Sequence, residues 1–245
     1  MATDILTLED VVAGYGKMTI LHGTTCSVAR GAITTVIGPN GAGKSTMFKT
    51  VFGMLPARSG RILFEGAEIT NLAPRELLAR GISYVPQGRN IFPELSVRHN
   101  LELGAVMAPA GFDLAGRMEA AMARFRVLRR KADQQASTLS GGEQKILEVA
   151  RALLLEPKLM LIDEPSIGLS PIMVNELFAV LTEMRDRGIT VLLIEQNAKR
   201  ALESSDYGIV LELGRTRIAD TAKNILDDPR IGQLFLGGGL QEKVA

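Results

Sequence analysis

A glycine-rich segment that follows an apolar run constrains this chain more than any other feature. The run Ile33–Ile37 has the composition of a buried strand, and Gly38–Thr46 follows it directly with the sequence GPNGAGKST. This is the strand, G-x-x-x-x-G-K-[ST], helix pattern of a phosphate-binding loop. A glycine-rich turn that binds nothing is the alternative, but the complete pattern in this setting favours a nucleoside triphosphate site.

Each residue type in the segment has a role in such a loop. The glycines let the backbone wrap closely and aim its N–H groups at one point, and the following helix adds its positive N-terminal end. Lys44 is expected to reach the β- and γ-phosphates, and Ser45 to offer a hydroxyl to Mg²⁺. The predicted nucleotide contacts are Gly38, Pro39, Asn40, Gly41, Ala42, Gly43, Lys44, Ser45 and Thr46.

A pair of carboxylates follows a second apolar run. The residues Leu159–Ile162 are all apolar, and Asp163 and Glu164 come directly after them. Asp163 is predicted to hold Mg²⁺, because this cation prefers hard oxygen ligands. Glu164 is predicted to polarise the attacking water as a general base. The pair could instead open a solvated loop, but the upstream phosphate-binding loop favours a role at the nucleotide. The second carboxylate favours hydrolysis over transfer to a bound acceptor, because water needs a base close by.

Composition excludes several other classes of protein. Hydrophobic residues make up 46% of the 245 residues and charged residues 22%, which is typical of a globular domain and not of a disordered chain. The net charge of +1 gives no global attraction to nucleic acid, so we expect no nucleic-acid partner. The longest uncharged stretch, Gly31–Gly43, is shorter than the roughly 20 residues of a membrane-spanning helix. With Cys26 as the single cysteine and no signal-peptide pattern, a reducing cytoplasmic location is expected.

The texture of the sequence predicts three structural parts. Short β-rich runs over 5–37 and 61–69, broken by glycines, indicate an antiparallel β section. Residues 74–135 have helical composition, with a helix pattern over 114–128 and a loop over 104–111. The apolar runs 159–162 and 190–194 are typical of strands in a parallel sheet. We predict one α/β domain over 1–237 and a tail over 238–245.

A serine and two glycines between the two nucleotide motifs lead to a family. Leu139–Gln144 reads LSGGEQ at the start of a predicted helix, a second possible anion site. This segment matches the signature of the ATP-binding subunits of ABC transporters, and the order of motifs matches as well. The chain resembles that family over about residues 5–235. The resemblance implies a P-loop NTPase core with a mostly parallel sheet, an N-terminal antiparallel β subdomain and an inserted α-helical subdomain at approximately 88–139.

The resemblance also assigns further site residues. Tyr15 lies where the family places an aromatic ring against adenine, although it could be an ordinary strand aromatic. Gln87 resembles the glutamine that reaches Mg²⁺ and the attacking water. Ser140, Gly141 and Gly142 would bind the γ-phosphate held by a facing ATPase chain. Two ATP molecules would thus be enclosed between two chains.

Two positions depart from the common family pattern. Gln196 stands where most members have a histidine, and its amide can donate a hydrogen bond but cannot become a cation. We retain Gln196 as a catalytic candidate on that alignment, and we expect Asn197 to cap the next helix. Ser170 stands where an aspartate is usual. Together with the segments 87–92 and 228–238, these departures resemble the smaller ATPase of branched-chain amino acid importers.

The predicted function is therefore a motor subunit that binds and hydrolyses ATP with Mg²⁺. Its expected partners are transmembrane permease subunits, a sister ATPase or a second copy of itself, and indirectly a substrate-binding protein. It would lie at the cytoplasmic face of the plasma (inner) membrane as a peripheral subunit. Urea, amide or other transporters remain open, as does a soluble non-transport ABC ATPase; a small-molecule kinase would need no signature segment.

Histidines and basic residues outside these motifs have ordinary interpretations. We expect His22 to pack between strands and His99 to lie on the surface, and no Cys or His cluster has metal-site spacing. Five of the eight residues in 124–131 are basic. Such a run is usually a solvated helix face, and a docking face for a partner is the alternative.

Overall fold

The computed structural model describes residues 3–231, which form two β-sheets and nine α-helices. The first sheet is antiparallel, with the strand order β2-β1-β4-β5. Its strands are β1 (Asp4–Ala13), β2 (Leu21–Ala29), β4 (Ala57–Phe64) and β5 (Ala67–Glu68). Buried and exposed residues alternate along β2, as expected for a strand with one face on the core. The predicted antiparallel β section is confirmed over 5–29 and 61–69, but its run 33–37 belongs to the second sheet, where it pairs in parallel with two strands.

The second sheet has six strands in the order β10-β9-β3-β8-β7-β6. They are β3 (Ile33–Ile37), β6 (Ile82–Val85), β7 (Leu159–Asp163), β8 (Thr190–Ile194), β9 (Tyr207–Glu212) and β10 (Arg215–Thr221). All pairs are parallel except β9 with β10. Every residue of β3, β7 and β8 is buried, because one face packs with residues 44–51 and the first sheet, and the other packs against residues 141–153 and 171–186.

Nine helices complete the described fold. They are α1 (Lys44–Val51), α2 (Pro74–Ala79), α3 (Val97–Glu102), α4 (Leu114–Arg124), α5 (Arg126–Arg130), α6 (Gly141–Leu153), α7 (Pro171–Asp186), α8 (Ala198–Glu203) and α9 (Ala222–Leu226). Side chains of α3 to α6 form their own hydrophobic cluster, which includes Leu101, Met122, Leu128 and Leu147. We call the segment from α3 through α5 the helical insert, since it lies between β6 and the signature helix α6.

The structure corrects three expectations from the sequence. The stretch 74–135 is not helical throughout, because the strand β6 lies inside it. The helix pattern over 114–128 is broken at Phe125, whose φ of −103° and ψ of 80° end α4. His22 is exposed, because the alternation along β2 places it opposite the buried Leu21. His99 is exposed as expected.

The predicted fold class is confirmed by the two sheets and their helices. No helix within residues 3–231 has the length and hydrophobicity needed to cross a membrane. The tail predicted for 238–245 lies outside the described residues.

Candidate active site

The phosphate-binding loop joins the end of β3 to the start of α1. Gly38 has a φ of 154°, and a Cβ there would lie 2.0 Å from the backbone oxygen of Leu211. Gly43 caps α1 with a left-handed φ of 102°, and a Cβ there would lie 2.9 Å from the Leu21 side chain. These glycines are therefore needed for the path of the loop between neighbouring strands, as well as for access to its N–H groups.

Lys44 is buried at the first turn of α1. Its side chain donates hydrogen bonds to the backbone oxygens of Gly38 at 2.8 Å and Pro39 at 3.1 Å. Burial lowers the pKa of the Lys44 ammonium, and the charges of Glu164 and Asp163 oppose that effect. The ammonium is thus held inside the curve of the loop, where the sequence predicts it to meet phosphate.

Asp163 ends β7, which lies between β8 and the edge strand β6, and the residue is 1% exposed. It accepts hydrogen bonds from the Ser45 hydroxyl and the Tyr84 hydroxyl, each at 3.3 Å. Burial raises the pKa of Asp163, opposed by these two hydrogen bonds and by the charges of Lys49 and Lys44. The structure thus brings together Ser45 and Asp163, two of the three predicted Mg²⁺ ligands, which are 118 residues apart in sequence.

No sequence motif marks Tyr84, whose hydroxyl contacts Asp163. It lies on β6 next to β7, and burial raises the pKa of its hydroxyl above the ordinary range. Only its position three residues before the motif glutamine could have pointed to the site.

Glu164 lies just beyond β7 in a left-handed backbone conformation, with a φ of 47°. Its N–H donates to the Ile194 backbone oxygen at 2.9 Å, which holds this uncommon conformation in place. Gln87 Nε2 donates to Glu164 Oε2 at 2.5 Å. Burial and the Asp163 charge raise the pKa of Glu164, and Lys44 opposes them. A partly buried carboxylate with a raised pKa is well suited to accept a proton from water.

A further buried carboxylate, Glu195, lies directly after β8 and belongs to no sequence motif. Glu195 is 2% exposed and accepts hydrogen bonds from the Ser166 N–H at 3.0 Å and the Ser166 hydroxyl at 2.6 Å. Burial raises its pKa, and the hydrogen bonds from Ser166 and Gln196 lower it. The adjacent Gln196 has an exposed side chain. Glu195 therefore anchors the segment after Glu164, while Gln196 remains available to solvent.

Tyr15 lies near the phosphate-binding loop's helix. The residue is 47% exposed, and the Lys49 ammonium lies 5.9 Å from the centre of its ring. An exposed ring beside this helix is compatible with stacking on a base.

The signature segment begins the helix α6. Ser140 caps the helix by accepting a hydrogen bond from the Glu143 N–H, and the Glu143 carboxylate accepts one from the Ser140 N–H. A Cβ on Gly142 would lie 2.4 Å from Met173, whereas one on Gly141 would meet no atom within 4 Å. In the described part of the chain no hydrogen bond joins this segment to the phosphate-binding loop of the same chain.

A buried polar network connects α6 to the segment after Gln87. Lys145 donates to the Gly88 oxygen at 2.8 Å and to Glu148 Oε2 at 2.6 Å. Glu148 Oε1 accepts a hydrogen bond from the Asn90 N–H at 2.5 Å, and the Asn90 side chain donates one to the Gln87 backbone oxygen at 3.4 Å. No motif in the sequence marks Lys145 or Glu148 as a site residue. The network ties the signature helix to the residue that contacts Glu164.

The predicted cap of α8 is confirmed. Asn197 accepts a hydrogen bond from the Arg200 N–H at 3.1 Å, and the helix follows at Ala198. Ser170 likewise caps α7 through the Met173 N–H at 3.4 Å.

Known proteins resemble this chain over nearly its whole length. A family profile described as ABC transporter matches residues 21–167. BraG of Pseudomonas aeruginosa, a high-affinity branched-chain amino acid transport ATP-binding protein, is 40% identical over 96% of this chain and 100% of BraG. LivF of Archaeoglobus fulgidus, a probable branched-chain amino acid transport ATP-binding protein, is 38% identical over 92% of this chain and 95% of LivF. A solved ATP-binding cassette in its ADP conformation is 32% identical, with a TM-score of 0.84 over 96% of this chain and 99% of that one.

Proposed function

Because this chain belongs to the ABC transporter family as an ATP-binding subunit, we propose that it powers an importer by hydrolysing ATP at the site described above. The observation that carries the proposal is the convergence of Lys44, Asp163, Glu164 and Gln87 at the carboxyl ends of three parallel strands. In open α/β sheets, ligands bind at that edge.

The phosphate-binding loop would hold the nucleotide. Backbone N–H groups of residues 40–46, at the start of α1, would face the phosphates, and Lys44 would exchange its contacts with Gly38 and Pro39 for phosphate oxygens. Tyr15 would stack on the adenine. The exposed ring of Tyr15 and the buried ammonium of Lys44 support these two assignments.

The residues next to the loop fit a magnesium ion. The Ser45 hydroxyl oxygen and Asp163 Oδ1 lie 3.3 Å apart, and both are hard oxygen donors of the kind that Mg²⁺ prefers. Gln87 could add its amide oxygen. When bound with ATP, the ion would neutralise charge on the β- and γ-phosphate oxygens.

Glu164 would act as the general base. A water molecule hydrogen-bonded to its carboxylate would transfer a proton to it while the water oxygen bonds to the γ-phosphorus and the bond to ADP breaks. Gln87, at 2.5 Å from Glu164, would orient the carboxylate and the water. Gln196 would donate an amide hydrogen bond to the γ-phosphate from the end of β8.

The signature segment would complete the site of a facing ATPase chain. Ser140, Gly141 and Gly142 make no hydrogen bond to the phosphate-binding loop within residues 3–231, although they form the N-terminal end of α6. A second copy of this chain or a sister ATPase would bring the same segment to the γ-phosphate held by Lys44. Closure of the pair would move the helical inserts and the permease subunits attached to them.

The proposed cargo is a branched-chain amino acid, because the relatives BraG and LivF are named as ATP-binding proteins of branched-chain amino acid transport, LivF as a probable one. Selection of that cargo would fall to the permease subunits and a substrate-binding protein. The chain would bind the cytoplasmic face of the permease as a peripheral subunit.

An uptake assay in the native host tests this function. A strain that lacks this chain should lose uptake of radiolabelled leucine, and the wild-type chain should restore it. Glu164→Gln should be present at the membrane with the permease but fail to restore uptake. Full restoration by Glu164→Gln would contradict the motor role, and unchanged leucine uptake in the deletion strain would contradict the cargo.

A further inference from the structure

A cavity of about 450 Å³ lies at the junction of the helical insert and the core, apart from the candidate active site. Its walls come from α4, from the α6–β7 and α7–β8 connections, and from the turn after β2. None of the residues that line it belongs to the phosphate-binding loop, the carboxylate pair or the signature segment. Cavities of about 300–1,000 Å³ are typical of small-molecule sites.

Basic side chains dominate the polar part of this cavity. The five cationic lining residues are Arg30, Arg117, Arg124, Lys158 and Arg187. Glu65 pairs with Arg30 at 2.8 Å and with Lys158 at 2.6 Å. Glu183 lies 2.6 Å from Arg187 and 3.4 Å from Arg124, and Glu156 pairs with Arg117. Because two of these three carboxylates are each shared by two cations, the wall carries two positive charges in excess.

Arg124 is the least satisfied of the five. Its side chain is 12% exposed, and its Nε has only the long ion pair to Glu183. Its Nη2 is buried and makes no hydrogen bond within the described residues. Burial lowers the pKa of this guanidinium, the charge of Glu183 opposes that effect, and the charge of Arg187 adds to it. A buried donor without an acceptor is costly, so an anionic oxygen placed here would be stabilising.

Apolar side chains form the rest of the wall. They are Ala120, Ala121, Phe125, Leu153, Leu154, Pro157 and Ile189. The Phe125 ring lies beside Arg124, with its centre 5.3 Å from the guanidinium carbon. A fully hydrated inorganic anion would gain nothing from this apolar surface, whereas an anion with a short hydrocarbon body would bury both parts.

We propose that this cavity binds a small organic anion, whose carboxylate or phosphate group contacts Arg124 and whose apolar body packs against Leu153 and Leu154. The site is separate from ATP hydrolysis, so it does not rest on the proposed function. Since α4 belongs to the helical insert and Lys158 and Arg187 to the core, the bound anion bridges the two parts.

Calorimetric titration of the full chain tests the proposal. The probes are hexanoate and hexyl phosphate, with inorganic phosphate as the head group alone and hexanol as the body alone. We expect at least one of the two amphipathic anions to bind more tightly than inorganic phosphate and hexanol. Which of them binds better identifies the head group as a carboxylate or a phosphate.

Two arginine variants locate the binding. Arg124→Met should weaken the better probe by about tenfold or more, since a charge-assisted hydrogen bond is lost. Arg126→Met removes an exposed charge two residues away that does not line the cavity, and it should bind as the wild type does. Both variants also retain the phosphate-binding loop, so any binding there contributes equally.

Several outcomes would overturn the proposal. They are no binding of either amphipathic anion, equal affinity in the two variants, and binding of inorganic phosphate or hexanol as tight as that of the amphipathic anions. Thermal unfolding should show that Arg124→Met is folded. If it is not, Arg187→Met replaces it, because that side chain is 61% exposed. That variant should weaken binding about two- to fivefold, and unchanged affinity would count against the site.

Discussion

The Gln87 side-chain amide donates a hydrogen bond to Glu164 Oε2 at 2.5 Å, and this contact joins the loops after two neighbouring strands. Gln87 is in turn linked through Asn90 to the buried Glu148 of the signature helix. The candidate general base is therefore connected by hydrogen bonds to the helix whose start would meet a facing chain. The contacts run from the Glu148 carboxylate through groups of Asn90 and Gln87 to Glu164.

Removing the base should separate binding from hydrolysis. Glu164→Gln should bind ATP with near wild-type affinity but hydrolyse it about 10²–10⁴-fold more slowly, because a carboxamide cannot accept the proton. Phosphate release and nucleotide calorimetry measure the two quantities. Glu176→Gln on α7 is the control and should leave both unchanged. Turnover near that of the wild type in Glu164→Gln would show that another group is the base.

Removing the loop cation should weaken binding itself. Lys44→Ala should lower ATP affinity about 10- to 100-fold, because a charge-assisted contact to phosphate is lost. Calorimetry with ATP under conditions that prevent turnover measures the effect. Lys199→Ala removes a lysine whose side chain is 81% exposed, and it should bind as the wild type does. Equal affinity in the two variants would contradict the role of Lys44.

The buried ion pair on α6 should matter for stability. The side chains of Lys145 and Glu148 are 8% and 1% exposed and lie 2.6 Å apart. Glu148→Ala leaves the ammonium buried without its carboxylate, so the free energy of unfolding should fall by about 3–5 kcal/mol. Urea denaturation measures this change.

A double variant separates the charge from the packing at this pair. In Lys145→Met with Glu148→Leu, no unpaired charge is buried, so part of the lost stability should return. Hydrolysis in the double variant should be slower than in the wild type, since the contacts to Gly88 and Asn90 are gone. For the single variant Glu148→Ala, a fall of less than about 1 kcal/mol in the free energy of unfolding would contradict the prediction. It would mean that water replaces the carboxylate beside Lys145.

The rate of hydrolysis should fall on the acid side at a higher pH than an ordinary glutamate would give. Burial and the Asp163 charge raise the pKa of Glu164 above its usual value of 4.5. A carboxylate is ionised only above its pKa, so the base is lost as pH falls through this raised value. The pH profile of kcat should therefore have its acid limb above pH 4.5, with circular dichroism showing that the chain stays folded. An acid limb at or below pH 4.5 would exclude Glu164 as the group that titrates.

Local patterns in the sequence predicted the parts of the site that depend on short segments. Gly38–Thr46 and the pair Asp163–Glu164 each adjoin an apolar run, and the structure places both at ends of parallel strands. The cap at Asn197 was predictable for the same reason, since a side chain that bonds to a residue three positions on needs no distant partner. Roles for Tyr15, Gln87 and Gln196 came only from the family resemblance.

Other features depend on contacts between segments that are distant in sequence, so local patterns do not predict them. Tyr84 meets Asp163 because β6 pairs with β7, and the pairing of strands 79 residues apart has no local pattern. The strand β6 lies in a stretch whose composition favours helix. The helix α4 ends at Phe125, although the apolar residues around it have helical spacing. Lys145, Glu148 and the Arg124 cavity follow from burial, which is set by what packs against a helix. The roles of the loop and the carboxylates were predictable because those motifs are contiguous segments. The side chains that orient them were not, because their positions depend on long-range packing.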